Sequence, residues 1–70
     1  MPARVMEVVV RGGLAPSLVA ALDGFTVDAA GSGMTRITGP VTDQAMLFGL
    51  LGMLDEVHIE VVSVNPRRDD

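Results

Sequence analysis

The residues best placed for chemistry are Arg11, Gly12, Gly13 and Leu14, which join a predicted strand to a predicted helix. Backbone N–H groups at a helix start, beside an arginine, can bind a carboxylate or a phosphate. The spacing matches neither a phosphate-binding Walker loop nor a dinucleotide-binding fingerprint. These four residues are therefore the ligand-binding candidate, and the alternative is a turn that simply requires glycine.

His58 and Glu60 are the candidates for a metal site. They lie two residues apart on a predicted strand and could bind a metal ion if a second copy supplied another such pair. A lone histidine is more often solvated or paired with a carboxylate. The sequence has no cysteine, which excludes disulfides and thiolate ligands. We therefore predict no metal and no cofactor.

Pro2 is the residue that suggests an enzyme. The start Met1-Pro2, with Arg4 and Arg11 nearby, resembles small tautomerases, in which a proline exposed by removal of the initiator methionine acts as general base. A secondary amine near cations can titrate near neutrality, as that role requires. Those proteins have one long helix after the first strand, whereas the first helix predicted here is short. The prediction is that the chain is not an enzyme, with a tautomerase-like activity as the alternative.

Composition excludes several classes of function. The 70 residues are 49% apolar, carry a net charge of −4 and include only two aromatic side chains, which argues against nucleic-acid binding. No apolar run is long enough to span a membrane and no signal peptide is recognisable, so we predict a cytoplasmic protein without membrane contact. A core of this size rarely supplies more than about 3–5 kcal/mol. Oligomerisation is the remaining source of stability.

The segment TDQAMLFGLLGML, residues 42–54, predicts the principal helix, with Thr42 as its N-cap. One broad face of this helix is apolar, and its members are Met46, Leu47, Leu50, Leu51 and Leu54. Gly49 and Gly52 lie on the opposite face beside Ala45, and each costs about 1 kcal/mol relative to alanine. We expect another chain segment to approach this backbone closely. It is either the other helix or a partner that binds at Phe48, Gly49, Gly52 and Met53.

Four strands and one further helix complete the pattern. The strands are predicted over residues 4–11, 25–30, 34–39 and 57–64, the short helix over residues 15–23, and a glycine hairpin joins the middle strands. This order predicts an α+β fold, the ferredoxin-like split βαβ, with a four-stranded antiparallel sheet of order 4-1-3-2 and two helices on one face. The domain covers residues 1–66, and residues 67–70 form a charged tail.

The sheet face that no helix covers is a second candidate interface. The alternation of side chains along the strands places both apolar and charged residues there, and the interface candidates among them are Val5, Val9, Met34, Arg36, Val62 and Val64. An open face is expected to be largely polar in a monomer. The valines indicate a covered face, unless they are there for strand propensity alone.

The βαββαβ order, the Gly-Gly-Leu entry to the first helix and the ending LLGMLDEVHIEVVSV resemble ACT and ACT-like regulatory domains, including those of leucine-responsive transcription regulators. The resemblance implies an amino-acid site at a subunit interface, formed by Arg11, Gly12, Gly13 and Leu14. The acidic residue usual before this turn in the family is absent here. The segment TGPVTDQAMLFGLL also resembles short stand-alone bacterial proteins of unknown function.

The predicted function is therefore that of a non-enzymatic homo-oligomer, in the simplest case a dimer. It acts as a protein-interaction or small-ligand-sensing module. Its predicted partners are a second copy of itself, another protein or an amino-acid-like ligand.

Overall fold

The structure, a computed structural model, describes residues 4–67. The elements alternate in the order β-α-β-β-α-β, and their bounds are β1 Arg4–Arg11, α1 Pro16–Ala21, β2 Thr26–Gly31, β3 Met34–Val41, α2 Gln44–Glu56 and β4 Val61–Pro66. β1 and β3 pair antiparallel over their whole lengths, from Arg4 opposite Val41 to Arg11 opposite Met34. These two central strands carry the core, and β2 and β4 form the edges of the sheet.

The fold-class prediction needs correction. The structure has an open antiparallel sheet of order β2-β3-β1-β4. The predicted order, 4-1-3-2, was counted from the opposite edge of the sheet. The error concerns the helices that cover the sheet. The ferredoxin-like arrangement was expected to cover one face with two helices, but only α2 has buried residues. The six residues of α1 make fewer than two turns. The protein is a small α+β domain in which a single helix provides most of the cover.

The core lies between the sheet and α2. Its side chains come from alternate positions of the central strands, from α2 and from the residue after α1, and they are Met6, Val8, Val10, Leu22, Ile37, Val41, Leu50 and Leu54. Phe25, predicted to begin the second strand, precedes it instead and places its ring over Gly39 of β3. The predicted apolar face of the principal helix is confirmed for Leu50 and Leu54, whereas Met46 is exposed.

The start of α2 lies one residue later than predicted. Asp43, rather than Thr42, is the N-cap, and its carboxylate accepts a hydrogen bond from the Met46 N–H at 2.8 Å. The Thr42 hydroxyl lies 3.7 Å from the Met46 sulfur and donates to it. Both residue types cap helices well, and a carboxylate adds a negative charge at the positive end of the helix dipole.

The end of α2 corrects the prediction for the last strand. The His58 N–H donates to the Asp55 carbonyl and the Ile59 N–H to the Leu54 carbonyl, both at 3.0 Å. This is a Schellman motif, with Ile59 packed against the core. The strand therefore begins at Val61 rather than at residue 57, because the four preceding residues close the helix and the following turn.

His58 adopts the left-handed conformation, with φ 59°. Side chains are strained there and glycine is not. We expect His58→Gly to raise the free energy of unfolding by about 0.5–1 kcal/mol, measured by urea denaturation. His58→Ala is the control, since it removes the imidazole but keeps the strained Cβ, and it should give no gain. Equal effects of the two substitutions would contradict this explanation.

A β-bulge in β4 changes which side chains face the core. Val61 pairs with Val10 and Ser63 with Val9, so Val62 is the extra residue between them. Beyond the bulge the alternation is shifted, and Val64 pairs with Val8 and packs against the core. The prediction that Val64 lies on the open face is therefore wrong.

Candidate functional site

The predicted ligand loop is held in place by contacts within the chain. The Gly12 N–H donates to the Gly33 carbonyl at 2.7 Å, and the Gly12 carbonyl accepts from the Thr35 hydroxyl at 2.6 Å. The Arg11 guanidinium lies 3.3 Å from a Glu60 carboxylate oxygen in an exposed ion pair. The backbone groups of Gly12 therefore join the loop to the hairpin between β2 and β3 and are not available to a ligand.

The remaining residues of this loop offer little to a ligand. Leu14 is half-buried and packs against the core, and Gly13 is exposed with open space around its Cα. The following helix, α1, has no side-chain cap and no acidic residue in its first turn. At six residues it is too short to create a strong dipole at its start. The geometry supports the turn interpretation of the glycines, and ligand binding at residues 11–14 stays a prediction.

His58 and Glu60 do not form a pair on one strand face. Both precede β4, with His58 in the helix-closing motif and Glu60 in the ion pair with Arg11. Among residues 4–67, no three His, Cys, Asp or Glu side chains are close enough together to hold a metal ion. The described part of the chain thus offers no ligand set built on these two residues.

The tautomerase-like alternative places Pro2 near cationic groups, for which Arg4 and Arg11 are the candidates. Pro2 lies outside the described residues. Arg4 and Arg11 stand at opposite ends of the eight-residue strand β1, about 23 Å apart along the strand. One small active site cannot contain both side chains, so at most one of these arginines can lie beside Pro2, and the tautomerase-like activity stays a prediction.

The open sheet face is a mixed apolar and charged surface. Val5, Val9 and Met34 are half-buried there among their strand neighbours. Arg36 lies directly opposite Asp28 on β2, and its Nε is 3.5 Å from a Glu7 carboxylate oxygen on β1. This charge row crosses three strands and interrupts the apolar residues, so the predicted interface on this face is less apolar than its valines suggested.

The outer face of α2 is the more apolar of the two predicted surfaces. Phe48 is 59% exposed, and a Cβ added to Gly49 or Gly52 would have no atom of another segment of residues 4–67 within 4 Å. The alternative that the other helix packs against these glycines is therefore wrong. Met53 turns toward the sheet and packs against the core. We call the group formed by Ala45, Phe48, Gly49 and Gly52 the Phe48 surface.

The other exposed apolar side chains also lie mainly in the helical layer. Val19 belongs to α1, Met46 to α2, and Val57 is the C-cap of α2. The sheet contributes only Val62, at the bulge of β4, to the large apolar side chains exposed in the described chain. The predicted interface residues thus divide into an exposed helical group and a sheet group that is mostly half-buried.

A cavity of about 470 Å³ lies where the start of α2 meets the ends of β1 and β3. It was not predicted from the sequence, and its lining residues are Arg4, Met6, Val41, Thr42, Asp43, Gln44 and Leu47. Arg4 and Val41 are direct partners in the sheet although they lie far apart along the chain. No local pattern marks this site, because only the β1–β3 register brings its walls together.

Within residues 4–67, no helix has the length and apolar character that crossing a membrane requires. Residues 5–65 match a family described as a domain of unknown function, DUF8691. No curated protein and no solved structure matches the chain.

Proposed function

Because the chain belongs to this family, whose description assigns no activity, we propose a function from the exposed residues of the chain. The protein is a non-enzymatic module that self-associates through the Phe48 surface. The observation that carries the proposal is an exposed phenylalanine beside two helical glycines that no other segment of residues 4–67 approaches. The two glycines weaken the helix by about 1 kcal/mol each relative to alanine. A close helix–helix contact between two copies, which glycine permits, would offset this loss of helix stability.

Burial of Phe48 contributes a favourable free-energy term to association. Full burial of a phenylalanine side chain contributes about 1.5–3 kcal/mol. Phe48 is 59% exposed in the monomer, so each copy gains part of this free energy when a symmetric dimer covers it. A 70-residue domain obtains only about 3–5 kcal/mol from its own core. Burial at the Phe48 surface is thus a sizeable term relative to the stability of the isolated domain, and it opposes the entropic cost of association.

The charges of α2 favour an antiparallel arrangement of the two helices. Asp55 and Glu56 stand at the end of α2, and α2 carries no basic residue in its last turn. Parallel packing would bring the acidic ends of both helices together. Antiparallel packing separates the two acidic ends and places each near the start of the other helix, where the Asp43 carboxylate partly offsets the positive dipole end.

The remaining predictions from the sequence concern a different partner, the cellular location and an enzymatic activity. A protein partner of a different kind and a cytoplasmic location remain predictions from composition. No contact in the described residues favours the tautomerase-like activity. The proposed binding partner at the Phe48 surface is therefore a second copy of the chain.

Light scattering after size exclusion, over a hundredfold range of concentration, tests the proposal. We expect the wild-type chain to be a dimer and Phe48→Glu to be a folded monomer, because the carboxylate would be buried unpaired in the interface. Val62→Glu is the matched control, since it places the same charge on an exposed residue of β4 and should leave the dimer intact. A wild-type monomer at every concentration, or dissociation by Val62→Glu alone, would refute the proposal.

A further inference from the structure

The cavity at the start of α2 is open to solvent on one side, and its volume and lining are those of a small-molecule site. Its volume, about 470 Å³, falls within the range of roughly 300–1,000 Å³ that such sites have. Met6 and Val41 are buried and Leu47 is half-buried, so these three side chains provide an apolar floor. The other lining residues are exposed and polar, and they form the rim.

The rim carries one positive and one negative side chain. Arg4, at the start of β1, supplies the guanidinium, and Asp43, the N-cap of α2, supplies the carboxylate. No ion pair joins them, although ion pairs occur elsewhere in the described residues. Asp43 Oδ1 accepts from the Met46 N–H, which leaves the other carboxylate oxygen available to a donor.

We propose that this cavity binds a small zwitterion with an apolar body. The anionic group of the ligand faces Arg4, its cationic group faces Asp43, and the apolar body lies on Met6, Val41 and Leu47. A simple carboxylate would satisfy Arg4 but meet the like charge of Asp43, and a simple amine would do the reverse. Only a ligand with both charges complements both sides of the rim.

This site does not depend on self-association. All of its lining residues come from one chain, and none belongs to the Phe48 surface. It is also separate from the Arg11–Leu14 loop, because Arg4 and Arg11 lie at opposite ends of β1. A monomeric Phe48→Glu variant is therefore expected to bind the same ligand, which separates this inference from the proposed function.

The test is an NMR titration of ¹⁵N-labelled protein with three probes of similar chain length: L-norleucine, which is zwitterionic, hexanoate, which is anionic, and pentylamine, which is cationic. We expect L-norleucine to shift the backbone amides of Thr42, Gln44 and Leu47 saturably. It should bind at least about tenfold more tightly than either singly charged probe, since each lacks one charge-assisted hydrogen bond. Equal affinity for hexanoate or pentylamine, or no saturable shift at these amides, would overturn the proposal.

Two substitutions examine the two charges separately. Asp43→Asn removes the charge but keeps a good helix N-cap, so loss of binding cannot be attributed to loss of the helix. Arg4→Gln removes the guanidinium at an exposed position. Each should weaken norleucine binding about tenfold or more, whereas Asp28→Asn, outside the cavity lining, should leave it unchanged. Unchanged binding by both cavity variants would overturn the assignment.

Discussion

Replacement of Leu54 by alanine is expected to leave the protein largely unfolded at 25 °C. Leu54 has no solvent exposure and lies in the core cluster with Val10 and Ile37. A buried leucine-to-alanine substitution costs about 2–5 kcal/mol, and the whole domain is expected to have about 3–5 kcal/mol from its core. The loss therefore approaches the total stability of the monomer.

Urea denaturation followed by circular dichroism measures this effect. Met46→Ala is the control, because Met46 lies on the same helix but is 39% exposed, and it should cost no more than about 0.5 kcal/mol. If both variants unfold at the same urea concentration, then α2 does not pack on the sheet as the structure shows. The comparison should be made at protein concentrations low enough to favour the monomer, since association adds its own stability.

Gly39→Ala is expected to have the second-largest effect. A Cβ at this position of β3 would lie 2.8 Å from Cγ of the Phe25 ring and closer still to Cδ2. The ring cannot move without losing its place against the core, and Gly39 is itself buried in the sheet. Overpacking of this kind costs about 1–3 kcal/mol, and thermal or urea denaturation measures the loss.

Gly52→Ala is the matched control, with the same added methyl group at a helical position that has open space around it. In the monomer it should stabilise by up to about 1 kcal/mol, because alanine is the better helix former. A second control is Gly39→Ala combined with Phe25→Ala, in which the clash is absent, so the two losses should not add. If Gly39→Ala is as well tolerated as Gly52→Ala, the contact between Phe25 and Gly39 is not formed.

Local patterns determined the elements whose signals have no competitor. The alternation from Arg4 to Arg11 is confirmed as β1, and the turn after β2 has positive φ at Gly31 and Gly33, as its glycines indicated. The apolar face that includes Leu50 and Leu54 is confirmed as the buried face of α2. Each of these features depends on residues close together in the chain, and such interactions are visible in a sequence.

Where two local structures were both compatible with the sequence pattern, the prediction was wrong. The residues from Val57 to Glu60 precede strand-forming residues, yet they close α2. The hydrogen bonds to the Leu54 and Asp55 carbonyls and the burial of Ile59 outweigh strand propensity there. The bulge at Val62 is similar. Simple alternation placed Val64 on the open face, whereas pairing with Val8 on β1 turned it inward.

For the two candidate binding surfaces, too, the sequence determined one part and the tertiary structure the other. The sequence by itself determined that Phe48, Gly49 and Gly52 share one side of a helix, since that follows from helical geometry alone. Only the tertiary structure decided that no other segment of residues 4–67 covers them, because the position of α1 depends on its length and packing rather than on the residues of α2. The cavity between Arg4 and Asp43 was likewise decided by the β1–β3 register. The physical reason is that these surfaces join residues distant in sequence, whose proximity arises only when the sheet forms.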